Sequence, residues 1–189
     1  MTETILKMQK KVKRYLDKDR YDHTIGVMHT AGCLAMRYGA NLEQALTAGL
    51  LHDCAKCVPA DEKIKLCEKN HIEISDAEYK NPGLLHAKLG AFFARKKYGI
   101  ENEEILRSIE SHTTGRPNMS LLDKIIYIAD YIEPGRDVAP NLPEVRALAF
   151  VDIDACLYLI LEDTLAYLAE KGATLDPATE ETFLYYKNL

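Results

Sequence analysis

The chain has 189 residues and a formal net charge of -5, with 47% hydrophobic and 28% charged side chains. This length fits one domain with a single sizeable core, and the composition is that of a globular protein. The negative charge argues against a protein held to nucleic acid by bulk electrostatics, because such domains are usually basic. An anionic substrate would therefore need a local positive site made by a metal ion, Lys or Arg.

The N-terminus and the cysteines predict an intracellular, cytoplasmic protein without a membrane partner. Residues 1–7 lack the apolar core and cleavage site of a secretory leader. The longest apolar runs are shorter than the roughly 18 residues that a membrane span requires. The five cysteines are an odd number, and we expect reduced thiols. The Cys54–Cys57 spacing fits a zinc knuckle or redox pair, but no partner pair sits at zinc-finger spacing, so both thiols are interpreted as structural.

Helical periodicity dominates the chain, and no stretch alternates convincingly as a strand. The first predicted helix has Ile5, Met8 and Val12 on its apolar face. In chain order, the others are predicted at about 19–38, 41–56, 59–70, 82–99, 101–112, 121–132, from 141–143 onward, 152–170 and 177–186. A polar stretch over residues 72–81 is expected to lead to Pro82, a good first-turn residue. The prediction is an all-α fold of about ten helices.

The adjacent pair His52-Asp53 follows the apolar residues 46–51, in a helix that is expected to be buried. A free carboxylate in an apolar core is costly, so it must be paired, hydrogen-bonded or bound to a cation. A divalent metal ion would satisfy the imidazole and the carboxylate together.

Four other predicted helices each carry a metal-competent side chain, namely His23, His86, His112 and Asp130. Each residue has an ordinary alternative, since a lone His is more often hydrogen-bonded and Asp130 could simply pair with an Arg. His29 and His71 have no such context and are interpreted as structural. Convergence of the set in one core would satisfy all of these buried polar groups.

The order His23, His52-Asp53, Asp130 resembles the HD-domain phosphohydrolases, which are all-α enzymes named for the His-Asp doublet. Finer motifs resemble the bacterial YqeK family; they lie at residues 20–27, 50–56, 85–87, 111–115 and 128–136. The resemblance implies a single HD domain over residues 1–189, with a motif core at 20–136 and C-terminal helices at 143–189 packing on it.

That resemblance implies symmetrical hydrolysis of diadenosine tetraphosphate, or a related dinucleoside polyphosphate, to two ADP. It also implies iron as one or two ions, with Mn, Zn, Ni or Co as alternatives that suit imidazole and carboxylate ligands. The implied ligands of the first metal are His23, His52, Asp53 and Asp130. His86 and His112 would hold a second metal that Asp53 bridges, or would face phosphate. The resemblance leaves a homodimer possible.

The residues predicted to act directly in catalysis are His52, Asp53 and Lys56. In chain order, the predicted substrate contacts are Arg20, Asp53, Cys54, Ala55, Lys56, His86, His112, Thr113, Arg136, Ala173, Thr174 and Leu175. Lys56 and the two arginines offer cations for phosphate, although a Lys or Arg at a helix end is also an ordinary dipole partner. Thr113 could hold phosphate or merely cap its turn. The loop at residues 171–177 is expected to close over a base.

Two other functions stay open at this point. One is an HD-domain phosphohydrolase that acts on a mononucleotide, because the His-Asp core is the same in both cases. The other is a nucleotide-binding regulator with an inactive site, against which the intact set of six candidate ligands argues.

Overall fold

The computed structural model describes residues 2–139 and 141–189, and within them the secondary structure consists of eleven α-helices without a β-strand. In chain order these are α1 (Glu3–Val12), α2 (Lys18–Tyr38), α3 (Leu42–Leu51), α4 (Ala60–Lys69), α5 (Asp76–Lys80), α6 (His86–Tyr98), α7 (Glu103–Ser111), α8 (Leu121–Ile132), α9 (Leu142–Leu148), α10 (Ile153–Lys171) and α11 (Pro177–Lys187). The all-α prediction is confirmed.

The helix that the sequence analysis did not predict is α5, within the polar stretch at residues 72–81. It begins with a capping box: the Ser75 hydroxyl accepts the Glu78 N–H at 3.2 Å, and the Glu78 carboxylate accepts the Ser75 N–H at 2.7 Å. Reciprocal capping satisfies two backbone donors that a short helix otherwise leaves free. The sequence signal for this helix is therefore a Ser followed three residues later by Glu.

Helix α3 ends at Leu51, so the prediction that it continues to Lys56 is wrong. The Nδ1–H of His52 donates to the carbonyl of Gly49 at 2.8 Å. That carbonyl is the acceptor that the Asp53 N–H would use if the helix continued. The backbone then tightens, with N–H groups of Cys54 and Lys56 bonding to carbonyls three residues earlier. The His-Asp pair thus lies in a turn and not in the helix.

Helix α8 is the centre of the core. Its side chains Ile125, Ile126 and Ile128 are fully buried, and the helix contacts α2, α3, α7 and α10. Full burial of one such side chain contributes roughly 1.5–3 kcal/mol. Because α8 packs on so many neighbours, a polar residue on it faces side chains from several helices at once.

Close packing of α2 on α3 depends on a glycine. A Cβ at Gly49 would lie 2.9 Å from the Cα of Met28 and 3.3 Å from the carbonyl oxygen of Val27. Backbone atoms cannot move aside as a flexible side chain does, so only hydrogen fits here. This contact sets the distance between the helix that carries His23 and the turn that carries His52.

The described residues include no helix that combines the length and apolarity needed to cross a bilayer.

We expect Gly49→Ala to destabilise the fold by roughly 1–3 kcal/mol, since the added methyl must push two helix backbones apart. Urea unfolding measures this loss. Gly83→Ala is the matched control, because its Cβ would meet only the Asn81 side chain. If both variants were as stable as the unsubstituted protein, that result would contradict a close backbone contact at Gly49.

Candidate metal centre

The fold brings all six predicted ligands together. His23 comes from α2, His52-Asp53 from the turn after α3, and His86 from the first residue of α6. His112 follows the last residue of α7, and Asp130 lies on α8. The prediction that side chains from five separate segments converge in the core therefore agrees with the structure.

One group of ligand atoms surrounds a point between α2, α3 and α8. The Nε2 atom of His23 lies 3.0 Å from Oδ1 of Asp130, and Nε2 of His52 lies 3.8 Å from the same oxygen. Oδ2 of Asp53 is 3.6 Å from His52 Nε2 and 4.0 Å from His23 Nε2.

The second group lies on the other side of the Asp53 carboxylate. Oδ1 of Asp53 is 3.2 Å from Nε2 of His86 and 3.6 Å from Nε2 of His112. The two imidazole nitrogens are 3.1 Å apart. Asp53 thus presents one oxygen to each group, which is the arrangement that a bridging carboxylate requires.

Hydrogen bonds fix the tautomer of these imidazoles. The Nδ1–H groups of His52, His86 and His112 donate to backbone carbonyls three residues earlier, at 2.8, 2.6 and 2.7 Å. A carbonyl oxygen can only accept, so the proton lies on Nδ1 and the Nε2 lone pair is free. His23 Nδ1 instead donates to Oε1 of Glu133 at 3.0 Å. All four rings therefore direct Nε2 into the centre.

These residues fit a divalent metal ion. Nε2 of His23, Nε2 of His52 and Oδ1 of Asp53 are buried and make no hydrogen bond within the described part of the chain. Metal–ligand bonds of about 2.0–2.2 Å place neighbouring donors about 3–3.5 Å apart, close to several of the separations observed here. Imidazole and carboxylate donors suit first-row transition metals.

The protonation states of His52, His86 and Asp53 at neutral pH suit metal ligation. Burial lowers the pKa of His52 and of His86 to about 4, so both rings are neutral. Burial alone would raise the pKa of the Asp53 carboxyl, but the imidazoles of His52, His112 and His86 outweigh it and hold that pKa well below its usual range. Neutral imidazole and ionised carboxylate are the forms that bind metal.

Three cations lie beside the ligands, namely Arg20, Lys56 and Arg136, which are predicted from the sequence to contact phosphate. Arg20 donates to Oδ2 of Asp53 at 3.0 Å, and Arg136 donates to Oδ1 of Asp130 at 2.9 Å. The Lys56 ammonium lies 3.0 Å from Nε2 of His86. These cations balance the three carboxylates of the centre, which are Asp53, Asp130 and Glu133. One divalent ion would therefore make the centre positive and able to hold an anion.

A cavity of about 580 Å³ opens beside the cluster. On the metal side it is lined by Lys56, His112, Thr113, Asp130 and Arg136. The lining also includes residues of α8 and of the C-terminal half of α10, among them Tyr127, Tyr131, Asp163 and Tyr167.

Some predicted contact residues lie elsewhere. Ala173, Thr174 and Leu175 are exposed between α10 and α11 and do not line this cavity. Ala55 is fully buried, and the Cys54 thiol donates to the carbonyl of Gly90 and lines a separate cavity of about 300 Å³. The side chains of these five residues therefore do not share the cavity beside the metal ligands.

Two parts of the site are not among the residues predicted from the sequence. Glu133 directly follows the last residue of α8, three residues after Asp130, and this nearness along the chain was an available signal. On α10, Thr164 lines the cavity, whereas Leu157, Ile160 and Leu161 of the same helix are buried. Periodicity alone does not distinguish a cavity wall from a core.

Comparison with known proteins agrees with this site. A family model described as HD domain matches residues 20–135. The symmetrical bis(5'-nucleosyl)-tetraphosphatase of Halalkalibacterium halodurans is 42% identical over 91% of each chain. The enzyme of the same name from Bacillus subtilis is 41% identical over 93% of this chain and 91% of its own.

The fold has a solved counterpart. A crystal structure from Clostridium acetobutylicum, described as a predicted HD superfamily hydrolase involved in NAD metabolism, superposes with a TM-score of 0.93. That protein is 42% identical, and the match covers 96% of both chains. The chain belongs to the HD-domain family and, within it, to the group that contains the symmetrical bis(5'-nucleosyl)-tetraphosphatases. The predicted family is confirmed.

We expect His52→Ala and Asp53→Ala to lose bound metal, because each removes a donor at the middle of the cluster. Elemental analysis of purified, metal-loaded protein measures the content. His29→Ala is the control, since His29 lies exposed on α2. Full metal content in the Asp53 variant would contradict the assignment of this centre.

Proposed function

We propose that the protein hydrolyses diadenosine tetraphosphate symmetrically to two ADP at this centre. The observation that carries the proposal is the buried set of imidazoles and carboxylates at the wall of a cavity lined with cations. It is supported by relatives, 41–42% identical over more than nine-tenths of both chains, that are named symmetrical tetraphosphatases.

The reaction needs a nucleophile at neutral pH and compensation of charge on phosphoryl oxygens. When bound, a divalent ion lowers the pKa of water from 15.7 towards about 7 and neutralises phosphoryl charge. The oxygen of water bonds to a phosphorus atom next to the central bridging oxygen. The bond between that phosphorus and the bridging oxygen breaks. The second ADP leaves with the bridging oxygen, so both products carry the same number of phosphates.

We assign the positioning of the polyphosphate to the cations and to Thr113. Lys56 lies beside His86 and 3.5 Å from Oδ1 of Asp53, at the wall of the cavity. The Thr113 hydroxyl lies 3.1 Å from Nε2 of His86 and 3.2 Å from Nε2 of His112. Arg20 and Arg136 can each offer a planar pair of donors to phosphate oxygens. In this proposal Cys54 and Ala55 contribute only through the backbone that follows Asp53.

We place one nucleoside of the substrate in the cavity of about 580 Å³, a size that is usual for a small-molecule site. Tyr127, Tyr131 and Tyr167 supply aromatic faces for a base. The contacts of Ala173, Thr174 and Leu175 with the base stay predictions, since these residues do not line this cavity.

We propose iron as the metal, as one ion held by His23, His52, Asp53 and Asp130 or as two with His86 and His112. The choice of iron rests on the family resemblance, and the donor set equally suits Mn, Zn, Ni or Co. A cytoplasmic location and a homodimer stay predictions.

The test of the function is product analysis. Metal-loaded protein is incubated with diadenosine tetraphosphate in H₂¹⁸O, and with ATP and AMP separately, and the products are resolved by ion exchange and mass spectrometry. We expect ADP as the only product of the dinucleotide, with ¹⁸O in half of the ADP molecules. Equal amounts of ATP and AMP would contradict symmetrical cleavage. Binding without turnover would favour the regulator, and turnover of the mononucleotides alone would favour the other class of phosphohydrolase.

We expect Lys56→Ala to raise KM about 10- to 100-fold while metal content stays unchanged. A charge-assisted hydrogen bond contributes about 1.5–3 kcal/mol, which corresponds to that range. Lys65→Ala is the control, because Lys65 is an exposed lysine on α4 that pairs with Asp61. Loss of metal in the Lys56 variant would show that this lysine supports the ligands and not the phosphates.

A further inference from the structure

His23 is oriented differently from the other imidazoles of the centre. His52, His86 and His112 each donate to a carbonyl three residues earlier, so their own turns orient the rings. The Nδ1–H of His23 donates to Oε1 of Glu133, which lies 110 residues later in the chain. The orientation of this ring therefore depends on a tertiary contact.

Glu133 is a buried carboxylate, 3% exposed, without a Lys or Arg in ion-pair contact among the described residues. Its two oxygens accept hydrogen bonds from His23 Nδ1 at 3.0 Å and from the N–H of Gly135 at 2.7 Å. A buried carboxylate without a cation is costly. The contact with His23 is the feature that explains its presence.

Two neighbouring residues fit this carboxylate closely. Gly26 lies one turn after His23 on α2, and a Cβ there would clash with Oε2 of Glu133. Arg146, on α9, donates to the carbonyls of Ile132, Glu133 and Arg136 at 2.9, 2.9 and 2.7 Å. The arginine thereby holds the turn after α8, and the glycine leaves room for the carboxylate against α2.

We propose that Glu133 is a positioning residue that orients His23 and makes its Nε2 a stronger donor to the metal, with Gly26 and Arg146 seating the carboxylate. A carboxylate on the far nitrogen of a metal-ligating His fixes its tautomer and raises its basicity. The inference rests on the metal centre of the proposed function but not on the substrate. It is therefore tested by metal affinity.

The test measures Co²⁺ affinity by chelator competition, followed through the visible absorption of the bound ion. Loss of such an outer carboxylate typically costs 10- to 100-fold in metal affinity. We expect a loss in this range for Glu133→Ala. We expect a smaller loss for Glu133→Gln, which keeps the volume and one acceptor and also serves if the Ala variant fails to fold. Glu78→Gln is the matched control, because Glu78 is a buried glutamate that pairs with Lys88 away from the centre.

A double-mutant cycle isolates the contact. Gly26→Ala alone should weaken Co²⁺ binding, since the methyl displaces the carboxylate. The double variant Gly26→Ala/Glu133→Ala should bind no more weakly than Glu133→Ala, because the methyl then no longer meets a carboxylate and lies 3.4 Å from the Cβ of residue 133, an ordinary contact distance. Additive losses would overturn the proposal, as would lower thermal stability of the Glu133 variants with unchanged Co²⁺ affinity. If the unsubstituted protein binds no Co²⁺, the metal centre of the proposed function fails as well.

Discussion

Burial of the Asp53 carboxylate is the constraint on which the rest of the structure depends. The residue is 1% exposed, and removing a carboxylate from water costs several kcal/mol unless close partners compensate. Two imidazoles approach each of its oxygens, and Arg20 and Lys56 add positive charge. Even so, Oδ1 makes no hydrogen bond within the described residues. A divalent cation is the partner that satisfies what these side chains leave incomplete.

The helix ends explain why the imidazoles turn their Nε2 atoms towards one another. A helix leaves carbonyls near its C-terminus without an intrahelical partner. His52 and His112 stand immediately after α3 and α7 and donate Nδ1–H to such carbonyls, and His86 uses the turn before α6 in the same way. The hydrogen bonds from Nδ1–H replace backbone hydrogen bonds that are missing at these helix ends. They also fix the tautomer of each imidazole. The early end of α3 is therefore part of the metal site.

The charge at the candidate metal centre differs from the net charge of the chain. The chain has a net charge of -5, yet the centre places three cations against three carboxylates. A divalent ion would shift this balance to positive at one wall of the cavity, where an anionic phosphate chain would lie. Tyrosines line the same cavity. A substrate with phosphates between nucleosides matches this lining, because it has both anionic and aromatic parts.

Much of the fold and the candidate ligand set could be predicted from the sequence, since both depend on local order. The periodicity of α8 predicted its bounds, 121–132, and the order His23, His52-Asp53, Asp130 indicated the family before any distance was known. Contacts between distant segments decided the rest. The end of α3 depends on the rotamer of His52, the orientation of His23 depends on Glu133, and the cavity wall depends on how α10 packs beside α8. Periodicity and spacing along the chain carry no information about such contacts, because they arise only when the helices pack together.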